Sequence, residues 1–517
     1  MKPIVQPIVK TGLWLVCGAI VAACVTACVT ASEPVLEVNQ GSVIRNVTVV
    51  STRDGALSPG MAVVIDAGRI QRVLPDRSVK AAGKATVVDG SGKFVVPGYL
   101  DMHTHALAGA DSPSPFWTML VAHGVTGIRE MAGSAALIQR AKQVNADRAA
   151  GKLLAPEILQ VPGDIIGGAP SGAVAAQMVR KHKADGADFV KIVAGSREVT
   201  LAVLTEARAQ GLGVAGHLPL VLNSAEAAAN GWRAIEHLGS GIGMLLECAT
   251  DEPRIRRALL NGEGAKPVLE PAAIVSPMLF RTLDAPYFQQ VLDSFSAERC
   301  AAVAQAAAKS GTWQVPTLIR LRTMDFSDQP VYRNDPNLQY VDKTRRALWA
   351  SLADRYASSM PPAAAATFHS YYEAQLKLVG LLQAHAQAQG AKLLAGSDLG
   401  GIWIIPGAGL HQEFAELAAA GLSPLQVLQA TTINGAMFLG REASMGTVEA
   451  GRQADLVLLD ANPLTNVANL GRIAGVMLGG LYLSAGELAQ LKRDVAVAHS
   501  QQPLQSLAAA YDSSHRH

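Results

Sequence analysis

Cysteine is scarce in this chain and crowded at one end: of five in 517 residues, Cys17, Cys24 and Cys28 lie within the first thirty. That excludes a small scaffold stapled by many disulfides. An excess of charge of one sign is also missing. Lys and Arg total 44 against 42 Asp and Glu, a net charge of +2, and no Lys/Arg run exceeds three residues. A surface built for nucleic acid is therefore not expected. What the chain has is apolar material: 49% apolar residues against 17% charged, with 48 glycines, the balance of a soluble globular enzyme rather than a disordered chain. The length of 517 residues exceeds one ordinary domain and suggests a large barrel with accessory structure.

The first thirty residues read as a targeting segment. Lys2 and Lys10 form a positive start, and Leu13 to Ala23 is an apolar stretch rich in small residues. Val21-Ala22-Ala23-Cys24 and Val25-Thr26-Ala27-Cys28 each resemble a bacterial lipoprotein signal, with lipid on the cysteine. Cleavage after Ala31 and an uncleaved anchor over Gly12 to Ala31 are the competing readings. All three export the protein to the periplasm or cell envelope, the lipidated form anchored to the membrane. Cys248 and Cys300 remain in the body. An oxidising compartment permits a disulfide between them, but the sequence does not choose between that and two buried thiols.

Short β-like runs over Gly41 to Val96 (SVIRNVTVV, MAVVIDAGRIQRV, ATVVDGSGKFVV) recur near the far end as GTVEAGRQADLVLLDANP and IAGVMLGGLYLS. Residues 33–96 and 441–490 are expected to combine into one small β-sandwich domain. Between them, residues 97–440 alternate apolar runs with helical stretches. GYLDMH, GVTGIREM, PEILQVPG, DFVKIVAG, GVAGHLP, RAIEHLG, TWQVPTLI and KLLAGSD supply eight candidate strands of an α/β fold, a (β/α)8 TIM barrel. Ser224 is the expected N-cap of the SAEAAANG helix, with Gly231 just past its end. Residues 244–310 and 321–390 are too long for ordinary βα loops and read as insertions that roof the barrel mouth. Residues 491–517 read as a polar tail with no partner, poorly ordered.

The chemistry sits at strand ends. In PGYLDMHTH, His103 and His105 are two apart and so project to one face of a strand, where neutral imidazoles suit a divalent metal. An HxH pair alone is weak, but this one ends an apolar strand after a Pro-Gly turn. His217 and His237 end consecutive apolar runs, the position where barrel active sites are assembled. A lone buried histidine is more often a satisfied core residue; two in equivalent positions beside an HxH are harder to explain that way. Asp398 in KLLAGSD is either a metal ligand that accepts a proton or the N-cap of the next helix. Lys191, in the apolar strand DFVKIVAGS, is costly to bury unless paired or modified; a snorkelling or salt-bridged lysine is the alternative.

The order VVPGYLDMHTH, GVTGIREMAG, VKI, GHLP, IEHLGSG, AGSD, LSPLQVLQATTINGAMFLG and MGTVEAGRQADLVLLDANPL resembles the amidohydrolase superfamily, in its imidazolonepropionase-like and prolidase-like branch. The resemblance runs from about Val43 to Leu483 apart from the two insertions. It implies a TIM barrel with a β-sandwich from both chain ends, and a pair of divalent metals, zinc by ligand type with manganese, iron or cobalt as alternatives. By resemblance His103, His105 and Asp398 hold one ion, His217 and His237 the other, and Lys191, carboxylated by CO2, bridges them. An ammonium cannot ligate a cation, whereas a carbamate offers two anionic oxygens. The chain departs from the pattern at Gly167-Gly168-Ala169, where many relatives have Gly-Gly-His, and relatives acting on some amides have a longer stretch after the bridging lysine. Both regions bear on substrate, so no particular substrate carries over. His411 and Glu413 are read as structural first, with support of the ligands as the alternative.

The resulting expectation is hydrolysis of a C–N bond in a small molecule: an amide in a dipeptide, an N-acyl amino acid or a cyclic compound. Asp398 moves the proton. The rivals are a one-metal enzyme of deaminase-like or imidazolonepropionase-like type with unmodified Lys191, and an envelope binding protein without turnover. A homo-oligomer is compatible with all three.

Overall fold

The computed structural model describes residues 35–108, 115–266, 268, 270–389 and 392–504. The targeting segment, with Cys24 and Cys28, lies outside the described residues, as do 505–517. Among the described residues no helix is long and apolar enough to cross a membrane.

Both chain ends build one mixed sheet. Its order is Leu481–Ser484, Ile473–Leu478, Leu456–Leu459, Phe94–Pro97, Ser42–Val50, Leu57–Asp66 and Arg69–Pro75, with Thr86–Asp89 beside Ser42–Val50. The seam is antiparallel: Leu456 faces Pro97 and Leu459 faces Phe94. Period-two alternation sorts its side chains. Leu456 and Leu458 join a core within the sheet's own domain, while Val457 and Leu459 join the large core of the α/β body. On the opposite face Val43, Ala62 and Val64 pack with Val38 and Val79 of a two-stranded parallel sheet, Leu36–Val38 with Val79–Ala81. The pairing is thus one large sheet with a two-stranded patch on it. It does not show the expected sandwich.

The middle of the chain is α/β, with seven of the eight expected strands in two parallel sheets. One holds Tyr99–Thr104, Val125–Glu130 and Glu157–Gln160; the other holds Phe189–Ile192, Gly213–Gly216, Trp232–Glu236 and Trp313–Val315. The eighth, 392–398, forms no regular strand. Single parallel bridges, Gln314 to Leu393 and Thr104 to Leu399, hold it between the free edges of the two sheets. Pro162 to Phe189 and Ile166 to Ile192 bridge the other gap. This arrangement is consistent with a TIM-barrel-like domain, although regular pairing is not continuous around it.

Helices follow the strands with side-chain caps where the sequence offers them: Ser134, Ser171 and Ser196 each accept from a backbone N–H in the first turn. For the helix Ser224–Ala229 the expected cap is displaced by one residue. Asn223 is the N-cap, and Ser224 gives its N–H and hydroxyl to Glu247, at 2.8 and 2.7 Å. The first long insertion holds the helices Glu252–Leu260, Pro271–Val275, Ala285–Asp293 and Ala297–Ser310, the second Lys343–Ser359 and Pro362–Gln389. Cys248 and Cys300 form a disulfide across the first. The segment expected to be a loose tail is helical as far as Gln501: Ala485–Gln501 opens with a capping box of Ser484 and Glu487 and buries Leu488, Val495 and His499.

Candidate metal centre

The ends of five βα units converge on Asp398. Its Oδ1 lies 3.4 Å from His103 Nε2 and 3.3 Å from His105 Nε2, and its Oδ2 lies 3.8 Å from His237 Nε2. The ring of His217 stands edge-on to that of His237, centroids 5.0 Å apart. One ligand atom each from His103, His237 and Asp398 falls within a 4.8 Å group. Lys191 is buried, and Asp398, Glu236 and Glu130 act on it electrostatically. All six residues singled out from the sequence therefore face one another's charge or rings. Asp398 is not a helix cap: the helix that follows, Ala408–Ala419, starts after Gly407.

The surrounding groups decide which imidazole nitrogen carries a proton. His103 Nδ1 lies 2.7 Å from Glu236 Oε2, so it donates there and leaves the Nε2 lone pair facing Asp398. That Nε2 is fully buried and has no hydrogen-bond partner, as expected of an atom meant for a cation. His237 Nδ1 lies 2.5 Å from Thr317 Oγ1, whose hydroxyl donates to the Pro316 carbonyl at 2.7 Å. The threonine oxygen must then accept, and His237 Nε2 likewise keeps its lone pair. Burial lowers the pKa of His103, His217 and His237, the last to about 4, so neutral imidazoles prevail. Burial opposes ionisation of Asp398 too, but the Arg320 guanidinium, with Nε 3.2 Å from Oδ2, favours the carboxylate form. Two lone pairs aimed at an ionised carboxylate fit a divalent cation.

Several participants were not visible in the sequence. Glu236 is gripped by Arg129 Nη1 at 3.1 Å, both side chains fully buried. Glu130 accepts from the N–H groups of Leu107 and Ala132, pinning the turns beside His105. Arg320 Nε reaches Asp398 Oδ2 at 3.2 Å, while its other nitrogens donate to the carbonyls of Ile274 and Val275 in the first insertion. Thr317, His237 and Asp398 all have positive φ, at 45°, 54° and 54°. Non-glycine residues rarely adopt this conformation, and its clustering here marks a functional constraint. The one hint in the sequence was position, directly beside His237 or after a strand.

Glu413 supports this shell from behind, accepting from Ile319 N–H at 2.8 Å. His411 on the same helix points elsewhere, to the carbonyl of His123 at 2.8 Å. Gly167 and Gly168 lie exposed in the loop after the third strand. A cavity of about 400 Å³ opens beside His217, lined by the turns after the fourth to sixth strands and, from the first insertion, by Leu260, Arg281 and Asp284. That volume suits a small molecule.

Residues 375–482 match the model of the amidohydrolase family. An adenine deaminase from Rubrobacter xylanophilus is 35% identical over 85 residues, 16% of this chain and 14% of that protein. An imidazolonepropionase from Anaeromyxobacter dehalogenans is 31% identical over 112 residues, 20% of this chain and 27% of that protein. The chain thus spans well under a third of the length of these curated relatives. Solved structures are similar across nearly the whole chain. A bottromycin amidohydrolase has a TM-score of 0.64 at 23% identity, covering 88% of this chain and 90% of that one. A putative prolidase from Bifidobacterium longum has a TM-score of 0.56 at 20% identity, covering 89% of this chain and all of that one. Residues 375–482 thus match the amidohydrolase family, and the likeness to the solved structures shows a shared fold.

Proposed function

We propose that the chain is a metal-dependent hydrolase on a (β/α)8 barrel that cleaves a C–N bond, an amide in a dipeptide-like, N-acyl amino acid or cyclic small molecule. The observation that carries this reading is the buried, unpartnered Nε2 of His103 facing Asp398, with His237 Nε2 turned to the same carboxylate. His103, His105 and Asp398 would hold one ion and His217 and His237 a second, with Lys191 as the bridging carbamate. Burial lowers the pKa of the Lys191 ammonium, which favours the neutral amine that must attack CO2. When bound, the metal polarises the scissile carbonyl and acidifies a water. Asp398 takes the proton of the attacking water and returns it to the leaving nitrogen. Arg320, with Nε 3.2 Å from Oδ2, fixes the orientation of that carboxylate. The cavity beside His217 admits the substrate. Export to the envelope is supported by the Cys248–Cys300 bond, which an oxidising compartment maintains.

A second reading has one ion and an unmodified Lys191, favoured by the compact His103, His237 and Asp398 group. Metal per chain, measured after purification with and without bicarbonate, separates the two. Two ions with bicarbonate and fewer without support the carbamate, and one ion in both supports the mononuclear enzyme. Full metal content in His103→Ala and His237→Ala would refute the site itself.

A further inference from the structure

A second cavity, of about 490 Å³, lies between the helices Pro115–Ala122, Ala408–Ala419 and Ala485–Gln501, and the metal-site residues do not line it. Its polar wall is an ordered relay. His123 Nδ1 donates to the Met119 carbonyl at 2.7 Å, so its Nε2 accepts, and Lys492 Nζ stands 3.3 Å from that Nε2. His411 Nε2 donates to the His123 carbonyl, which leaves His411 Nδ1 as an acceptor. Gln412 Oε1, also in the lining, is buried without a partner. Burial holds His123 and His411 neutral, with pKa values of about 3 and about 4. Burial also lowers the pKa of Lys492, and no carboxylate among the described residues offsets it. The rest of the wall is apolar, from Ile473, Leu488 and several alanines.

A half-buried ammonium that faces two neutral imidazoles and no acid is a costly arrangement without an anion to meet it. His411 Nδ1, an acceptor on the same wall, meets no donor among the described residues. We propose that this cavity is a second ligand site, built for a small organic monocarboxylate that also carries an O–H or N–H donor. The carboxylate meets Lys492, the donor meets His411 Nδ1, and the hydrocarbon body lies on the small apolar side chains.

Lactate and mandelate are suitable probes, because they carry both groups and have no C–N bond to cleave. The neutral diol 1-phenyl-1,2-ethanediol is the comparator. Titration calorimetry of the full chain should give saturable binding of at least one hydroxy acid, unchanged in His103→Ala. Lys492→Met should weaken it by about tenfold or more, the fold-change expected of one charge-assisted hydrogen bond. Ala489→Trp, which fills the cavity while keeping Lys492, should abolish it, and the diol should bind at least about tenfold more weakly. No saturable binding to the wild-type chain, equal binding to Lys492→Met, or loss in His103→Ala would each overturn the proposal, the last by placing the acid at the metal centre.

Discussion

The composite sheet and the strand ends around Asp398 solve opposite problems. In the sheet, Ile44, Val63, Val95, Leu456 and Leu458 are buried apolar side chains that ask only for volume and alternation. Around Asp398 the buried side chains are charged or polar: Asp101, His103, Arg129, Glu130, Lys191, Glu236, His237 and Arg320. Such groups are expensive to bury and hold their places only while each keeps a partner or a cation. The contrast teaches that this fold draws its stability in one region and spends it in another, so substitutions should separate into those that lower turnover and those that lower melting temperature.

The largest separation is expected at Asp398. Asp398→Asn keeps the shape but loses the charge and the proton acceptor, so kcat should fall by about 10²–10⁴-fold. Metal content should fall less, because the histidines remain. Turnover near the wild-type rate at saturating metal would remove Asp398 from the mechanism. Next comes Thr317→Val, which takes the acceptor away from His237 Nδ1 without changing size. Metal affinity should drop about 10–100-fold in a competition assay with a chelating dye, with little change in thermal unfolding. An unchanged affinity would mean that the threonine merely fills space.

On the other side of the contrast, Leu458→Ala should destabilise the chain by about 2–5 kcal/mol in denaturant unfolding while the folded fraction keeps its full complement of metal. Loss of metal from that folded fraction would show that the two regions are coupled. Reducing Cys248–Cys300 should remove about 2–4 kcal/mol, read as a lower melting temperature. The smallest effect is reserved for Asn223→Ala, about 1 kcal/mol, because only one cap is lost; if Ser224→Ala had the larger effect instead, its bond to Glu247 would matter more than the cap.

Strands that end in histidine could be read because their apolar runs are short and bounded by Gly and Pro, and because a TIM-type order repeats. KLLAGSD reads as a strand equal to the others, yet single bridges hold it, and Ser397 spends its N–H and hydroxyl on the Asp101 carboxylate instead of a sheet partner. Glu236 and Thr317 escaped notice for a different reason. Their roles depend on contacts 133 and 80 residues away in sequence, and no local pattern encodes those. The Asn223 cap was missed by one position, a routine uncertainty where two capping residues stand side by side. The helix Ala485–Gln501 was obscured by its charged outer face; Leu488, Val495 and His499 are the buried stripe that its polar composition hid.

The seam between Phe94–Pro97 and Leu456–Leu459 also sets a schedule. The strand Phe94–Pro97 leads straight into Tyr99–Thr104 and its histidine, yet its neighbour on that side is synthesised about 360 residues later. Pairing over so long a span is slow to form, because the intervening chain must first be gathered in. The centre is split in the same way, since Asp398 is synthesised about 290 residues after His105. A polypeptide still growing therefore carries two of the centre's histidines long before it carries the carboxylate that faces them.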